Sequence, residues 1–125
     1  MTRRNVAIVG ASANPRKFGN QAVRAYLRQG WEVYPVNPTG GVIEGRKVYK
    51  SVAEIPVKLD RVALYLPPAV GLNVLPDIAR AAPEEFFVNP GAESEELLER
   101  AKALGLNPIL ACSILAIGEL PDSQP

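Results

Sequence analysis

No histidine occurs anywhere in the 125 residues. Its absence excludes Ser-His and Cys-His catalysis, phosphohistidine chemistry and imidazole metal ligation. Cysteine is nearly absent too: Cys112 stands alone, so no internal disulfide can form and a thiolate metal cluster has no members. No metal site is expected. Neither sign of charge is in excess, with 14 basic against 13 acidic residues and a net charge of +1. Nothing global attracts nucleic acid or anionic lipid, so any anion has to be held locally. The longest apolar runs fall far short of the roughly 18 residues that a membrane span needs. With Met1-Thr2-Arg3-Arg4 leading straight into an apolar strand rather than a secretory segment, the expectation is a cytoplasmic protein without a membrane partner. The length suits one domain, 1–125, large enough for a real core but without a second lobe to close over a substrate.

What is present is a recurring short apolar run. Residues 5–9, 32–36, 61–66, 85–88 and 108–111 read as strands, nearly unbroken in Val, Ile, Leu and Ala. Helix-like segments lie between them, which implies a parallel sheet covered on both faces. The predicted class is α/β, a three-layer sandwich around a five-stranded, mainly parallel sheet. Residues 19–29 carry Val23, Tyr26 and Leu27 on one face and stop at Gly30, suited to a left-handed C-terminal turn. Ser51, followed three residues later by Glu54, is a capping-box pattern that opens a short helix. In 68–82 the predicted apolar face is Val70, Val74, Ile78 and Ala81, and Pro76 predicts either a kink or a start only near Val74. In 94–104 the face is Leu97, Leu98, Ala101 and Leu104, with Glu95 and Glu96 in the first turn and Lys102 in the last. Residues 39–49 read as a loop or small hairpin, and 118–125 as a fraying tail.

In open parallel sheets ligands sit beyond the carboxyl ends of the strands, so those ends are where chemistry is sought. The first strand runs into VGASANPRKFG, residues 9–19. This is not the G-x-G-x-x-G dinucleotide fingerprint: Ser12 stands where bare backbone is needed, and no glycine follows at the third position. The Ser12 hydroxyl can donate to a phosphate oxygen, the turn amides and the start of the next helix extend an anion nest, and Arg16 and Lys17 add charge. The same loop also serves as an ordinary turn with two solvated cations; Ser12, both cations and Gly19 together favour phosphate. The second strand ends in Asn37-Pro38, where an NAD domain places Asp or Glu to accept from the ribose hydroxyls. NAD is thereby disfavoured and a phosphorylated ribose tolerated, although Asn-Pro also simply turns a chain. Pro67-Pro68 reads as a rigid apolar wall or a stiffened loop. Asn89-Pro90-Gly91 offers a polar contact and a close-approach point ahead of a helix capped by Ser94. Cys112 ends the fifth strand at the mouth of the same cleft, either as an inert core thiol or as a redox group. The acids fall mainly on helices, with only Glu93 near a strand's carboxyl end, so no catalytic constellation emerges.

Taken together, Val9-Gly10-Ala11-Ser12 with a basic residue and Gly19 shortly after, Tyr34-Pro35-Val36-Asn37-Pro38, the 45–49 stretch followed by 51–56, Asn89-Pro90-Gly91 and Cys112 resemble the stand-alone CoA-binding domain proteins. These are similar to the CoA-binding domain of the succinyl-CoA synthetase α subunit. The resemblance runs from Asn5 to about Cys112 and implies a Rossmann-like domain that binds coenzyme A. On it, Gly10, Ala11 and Ser12 face the diphosphate, Lys17 and Arg16 pair with phosphates beside Phe18, and Asn37 and Pro38 flank the adenosine. Pro67 packs on the ligand, and Asn89, Pro90 and Gly91 lie near the pantetheine end; the family usually has Gln at the position of Asn89. The larger synthetases transfer phosphoryl groups through a histidine in a different domain, and this chain has neither. The expected function is a non-catalytic carrier or sensor of CoA or acyl-CoA, not an enzyme. The alternatives are a mixed disulfide between Cys112 and the CoA thiol, and a small NAD(P)-binding protein. The pattern is equally compatible with a homo-oligomer or a partner subunit.

Overall fold

The structure, a computed structural model, describes residues 3–122. Seven strands form: β1 (Asn5–Val9), β2 (Glu32–Val36), β3 (Val42–Ile43), β4 (Arg46–Lys47), β5 (Arg61–Leu64), β6 (Glu85–Val88) and β7 (Pro108–Leu110). Five of them make one sheet in the order β2-β1-β5-β6-β7, and every pairing in it is parallel. The helices are α1 (Phe18–Arg28), α2 (Pro68–Ala81) and α3 (Glu95–Ala103). This is the α/β, Rossmann-like sandwich. Its chain leaves β1 toward β2 on one side and returns to β5 on the other, so the loops after β1 and β5 diverge and open a crevice between them.

The apolar runs are continuous because successive side chains serve two cores. Ala7, Val9, Val62, Leu64, Phe86 and Val88 pack on Leu75 and Ile78 of α2 and on Leu97 and Ala101 of α3. Val6, Ile8, Ala63 and Phe87 pack on Ala22, Val23, Ala25 and Tyr26 of α1. Leu75 and Ile78 are wholly buried, each contributing about 1.5–3 kcal/mol. On the α1 face, Arg61 is buried with its guanidinium 4.9 Å from the Trp31 ring and 4.6 Å from that of Phe87. Two bonds to Glu85 and one to the Tyr26 hydroxyl satisfy its charge there.

Several predicted boundaries shift. The third and fifth sheet strands stop at Leu64 and Leu110, leaving Tyr65, Leu66 and Ala111 in the ligand-side loops. α2 is a single helix from Pro68 and does not wait for Val74 to begin. Pro68 opens it at a position where no N–H is required, and Pro76 lies on its exposed face, where water can reach the carbonyl that loses a donor. Its buried stripe is Gly71, Leu75 and Ile78; of the predicted face, Ile78 is buried, Val74 and Ala81 are partly buried against the core, and Val70 is left exposed. Residues 39–49 contain the hairpin β3-β4, turned by Glu44 and Gly45, both with positive φ, as the right-handed twist of a two-residue hairpin demands. Ser51 caps a three-residue 3-10 turn, Val52–Glu54, and the Glu54 carboxylate accepts the N–H of Lys50. The described part of the 118–125 tail makes side-chain contacts with α1 and its end. Glu119 binds Arg28 and Gln29, and the Asp122 N–H donates to Gln21, which pins this segment on α1; 123–125 lie outside the described residues. Among the described residues no helix is long and apolar enough to cross a membrane.

Candidate functional site

Three clefts meet at the carboxyl edge of the sheet. The middle one, about 270 Å³, lies at the β1/β5 divergence between Gly10, Lys17, Phe18, Pro67, Pro90 and Gly91. A second, about 190 Å³, runs from it between the end of β2 and α2, with Asn37, Pro38, Lys50, Leu66, Val70 and Val74 as walls. A third, about 240 Å³ and markedly apolar, extends the other way past Tyr65, Asn89, Cys112, Ile114 and Leu115. Gly10 and Leu66 line both of the first two, and Phe18, Tyr65 and Pro90 line the middle and third. The clefts therefore form one continuous trough. A depression of about 290 Å³ beneath the 3-10 turn adjoins the second cleft at Val52 and Asp77, but none of the strand-end residues lines it and its charged residues, Asp77 and Arg80, are paired with each other.

The loop after β1 is anchored at both ends. Gly10 has φ +96°, and a Cβ there would sit 3.0 Å from the Tyr65 carbonyl carbon. The N–H groups of Gly10 and Ala11 both donate to the Val36 carbonyl, at 3.1 and 3.2 Å, so they are tied to β2. The turn closes against β2 before it enters α1. The Ser12 Oγ accepts from the Asn14 N–H at 3.0 Å, and Asn14 Oδ1 accepts from the Arg16 N–H, which leaves the Ser12 proton to donate outward. The open backbone donors are the N–H groups of Ser12 and Ala13 in the turn and of Phe18 and Gly19 in the first turn of α1, none of which has a hydrogen-bond partner among the described residues. That turn contains no acid, and the exposed Arg16 and Lys17 beside it form no ion pair among the described residues. The anion-binding features thus span the turn at Ser12 and Ala13 and the start of α1.

Gly19 makes this possible, and the sequence reading did not assign it that task. A Cβ at Gly19 would lie 2.2 Å from the Gly10 carbonyl oxygen. It performs the close strand-to-helix packing that the third glycine of a dinucleotide fingerprint performs, after a longer loop. Asn37 braces that loop: its Nδ2 donates to the Ala11 carbonyl at 3.1 Å and its Oδ1 accepts from the Thr39 N–H at 2.7 Å. Asn89 is buried, donates to the Leu64 carbonyl and accepts from the Ser113 N–H, and so ties the ends of β5 and β6 to the segment after β7. Both amides line the trough with their polar atoms engaged within the protein. The Gly91 N–H is held by the Glu93 carboxylate. Tyr65 shares a 2.7 Å hydrogen bond with Ser113, and burial pushes its hydroxyl far above the ordinary tyrosine range, so it stays neutral. Cys112 is half-buried in the wall of the third cleft. The sequence reading missed Lys50, Val70, Val74 and Leu115. The signal for the two valines was an apolar surplus on α2 beyond what one face can bury.

A family model described as CoA binding domain matches residues 4–118. The chain belongs to this CoA-binding domain family. It is 36% identical to the α subunit of an ADP-forming acetate–CoA ligase from Pyrococcus furiosus, over 94% of the chain but only 29% of the subunit. The CoA-binding domain therefore spans less than a third of that relative's length. A solved structure of a conserved hypothetical protein from Pyrococcus furiosus superposes with a TM-score of 0.81 at 37% identity, covering 92% of this chain and 99% of that one. A dinucleotide-forming acetyl-coenzyme A synthetase of Ca. Korarchaeum cryptofilum, solved with phosphate and ADP, superposes at 0.75 with 33% identity, over 86% of this chain and 25% of its own. Of the residues expected at the site in this CoA-binding domain, Gly10, Lys17, Phe18, Pro67, Pro90 and Gly91 line the middle of the trough and Asn37 and Pro38 the cleft beside β2; Asn89 and Cys112 line the third cleft, and Ser12 and Arg16 lie on the loop that leads into α1.

Proposed function

We propose that this chain binds coenzyme A or an acyl-CoA along the trough, as a carrier or sensor without chemistry of its own. The observation that supports it best is the continuous trough with its anion-binding helix start at the centre. The adenosine occupies the cleft against Val70 and Val74, and the diphosphate meets the Phe18 and Gly19 amides with Lys17 and Arg16. The pantetheine arm then passes Pro67 and Pro90 into the apolar third cleft. Groups along this path are poor acid–base catalysts: Tyr65 is held neutral, Asp77 accepts from Ser51 and pairs with Arg80, and Glu93 is bound to a backbone N–H. Calorimetric titration tests the reading. CoA binds, and NAD binds at least about tenfold more weakly, a gap of about 1.4 kcal/mol. No heat with any CoA species, or equal affinity for NAD, would overturn it.

The position of Cys112 in the third cleft favours a second reading, in which the arriving thiol end exchanges with it. The Cys112 thiolate attacks a sulfur of CoA disulfide, a mixed disulfide forms, and one equivalent of CoA leaves as its thiolate. Intact mass after incubation with CoA disulfide shows one added CoA that Cys112→Ser abolishes. An adduct that survives the substitution, or none, rules this out.

A further inference from the structure

We infer that Lys50 receives the phosphate carried on the ribose of the bound ligand, and so makes the site select 3′-phosphorylated over dephosphorylated CoA. The inference rests on the CoA reading above and assigns a residue and a selectivity to it.

The chain delivers Lys50 to the ligand edge by a short added bridge. After the hairpin, the Tyr49 N–H donates to the Pro35 carbonyl at 2.9 Å, and the Asn37 N–H donates to the Tyr49 carbonyl at 3.0 Å. Tyr49 thus pairs in parallel with Val36, and residue 50 emerges beside Asn37 and Pro38, level with the other strand ends. Its own N–H is held by Glu54, so the backbone is fixed on both sides. The side chain passes over Gly40: a Cβ there would come 3.2 Å from Lys50 Cε, and glycine leaves room for the stem.

Charge points the same way. Lys50 is the one cation lining the cleft between β2 and α2, and it forms no ion pair among the described residues. Asp77 faces that cleft, but its carboxylate accepts from Ser51 Oγ at 3.1 Å and pairs with Arg80. Where an NAD domain presents a carboxylate to the ribose hydroxyls, this chain has Asn37, whose amide is turned to Ala11 and Thr39. The local balance is reversed from anion to cation. With the diphosphate at α1 and the ring against Val70, the ribose phosphate is the ligand's remaining anion, and Lys50 is the cation that the cleft holding the ribose offers it.

The test is calorimetric titration of CoA and dephospho-CoA into the full chain and its Lys50→Met and Lys50→Arg variants. The natural chain prefers CoA by a factor on the order of tenfold, as for one charge-assisted bond at an exposed site. Lys50→Met lowers CoA to the affinity of dephospho-CoA and leaves dephospho-CoA unchanged, whereas Lys50→Arg keeps most of the preference. A ratio retained in Lys50→Met overturns the inference and moves the phosphate toward Arg16 and Lys17. Equal affinities in the natural chain also overturn it while leaving the CoA reading intact. Absence of binding by either ligand removes both.

Discussion

At Gly19 a single methyl group decides how closely α1 can start against β1. The atom it would meet, the Gly10 carbonyl oxygen at 2.2 Å, belongs to backbone and cannot rotate aside. Gly19→Ala therefore has to push the first turn of α1 outward, at a cost of about 1–3 kcal/mol for overpacking. The same shift carries the Phe18 and Gly19 amides away from the phosphate position. The expected outcome is a lower urea midpoint together with weaker CoA binding. Gly30→Ala is the informative control: φ is +83° but a Cβ meets nothing within 4 Å. That variant loses about 1–2 kcal/mol through backbone strain and binds CoA as before. Wild-type stability in Gly19→Ala would show that the junction is looser than this contact implies.

Among the elements, α2 serves two purposes with one sequence. Gly71, Leu75 and Ile78 face the core, and Val70, 46% exposed, faces the cleft beside Lys50. A change at Val70 thus separates binding from folding. Val70→Asp should leave stability within about 0.5 kcal/mol, as at other surface positions. It should also weaken CoA binding severalfold or more, because the new carboxylate repels phosphate and competes for Lys50. Parallel urea denaturation and calorimetry check both halves, and a large loss of stability would place Val70 in the core after all. This division also marks what could be read in the sequence. The five strands and the three helices announce themselves by unbroken apolar runs and by caps such as Ser94, whose Oγ accepts from the Leu97 N–H. Which of two adjacent apolar rows on α2 turns inward depends on Leu64 and Leu97, which crowd Gly71 from elsewhere in the chain. Lys50 was illegible for a similar reason: its place is set by the Tyr49 bridge to Val36, a pairing across 13 residues that no local pattern encodes. That the Val36 carbonyl takes the amides of both Gly10 and Ala11 could not be read either, because amides in a turn look free in sequence.

For the whole molecule, the missing histidines and the placement of the arginines together set how stability responds to pH. With no histidine in the chain, nothing with an ordinary pKa near 6.5 titrates, so stability should be flat between about pH 6 and 7.5. On the acid side three carboxylates matter. Bonds from Arg3 and Arg46 hold Glu32 below the usual carboxylate range, and bonds from Arg28 and Gln29 do the same for Glu119. At Glu85 desolvation opposes ionisation, but bonds from Arg61 and Arg4 outweigh it and the net shift is also downward. A carboxylate whose pKa is lower folded than unfolded binds fewer protons in the native state. Its stabilisation is fully present above the unfolded value, about 4.3, and is lost as pH falls through the folded one. Urea midpoints should therefore hold level at neutral pH and fall below about pH 4.3. Glu85 contributes through a buried partner, because Arg61 has no other carboxylate among the described residues and sits between Trp31 and Phe87. Glu85→Gln should lower stability at pH 7, leaving a buried cation without its counter-charge, and should narrow the gap between pH 7 and pH 3.5. If that gap were unchanged in Glu85→Gln, the acid sensitivity would belong to the surface pairs and the Arg61 cluster would be held by packing and ring contacts instead.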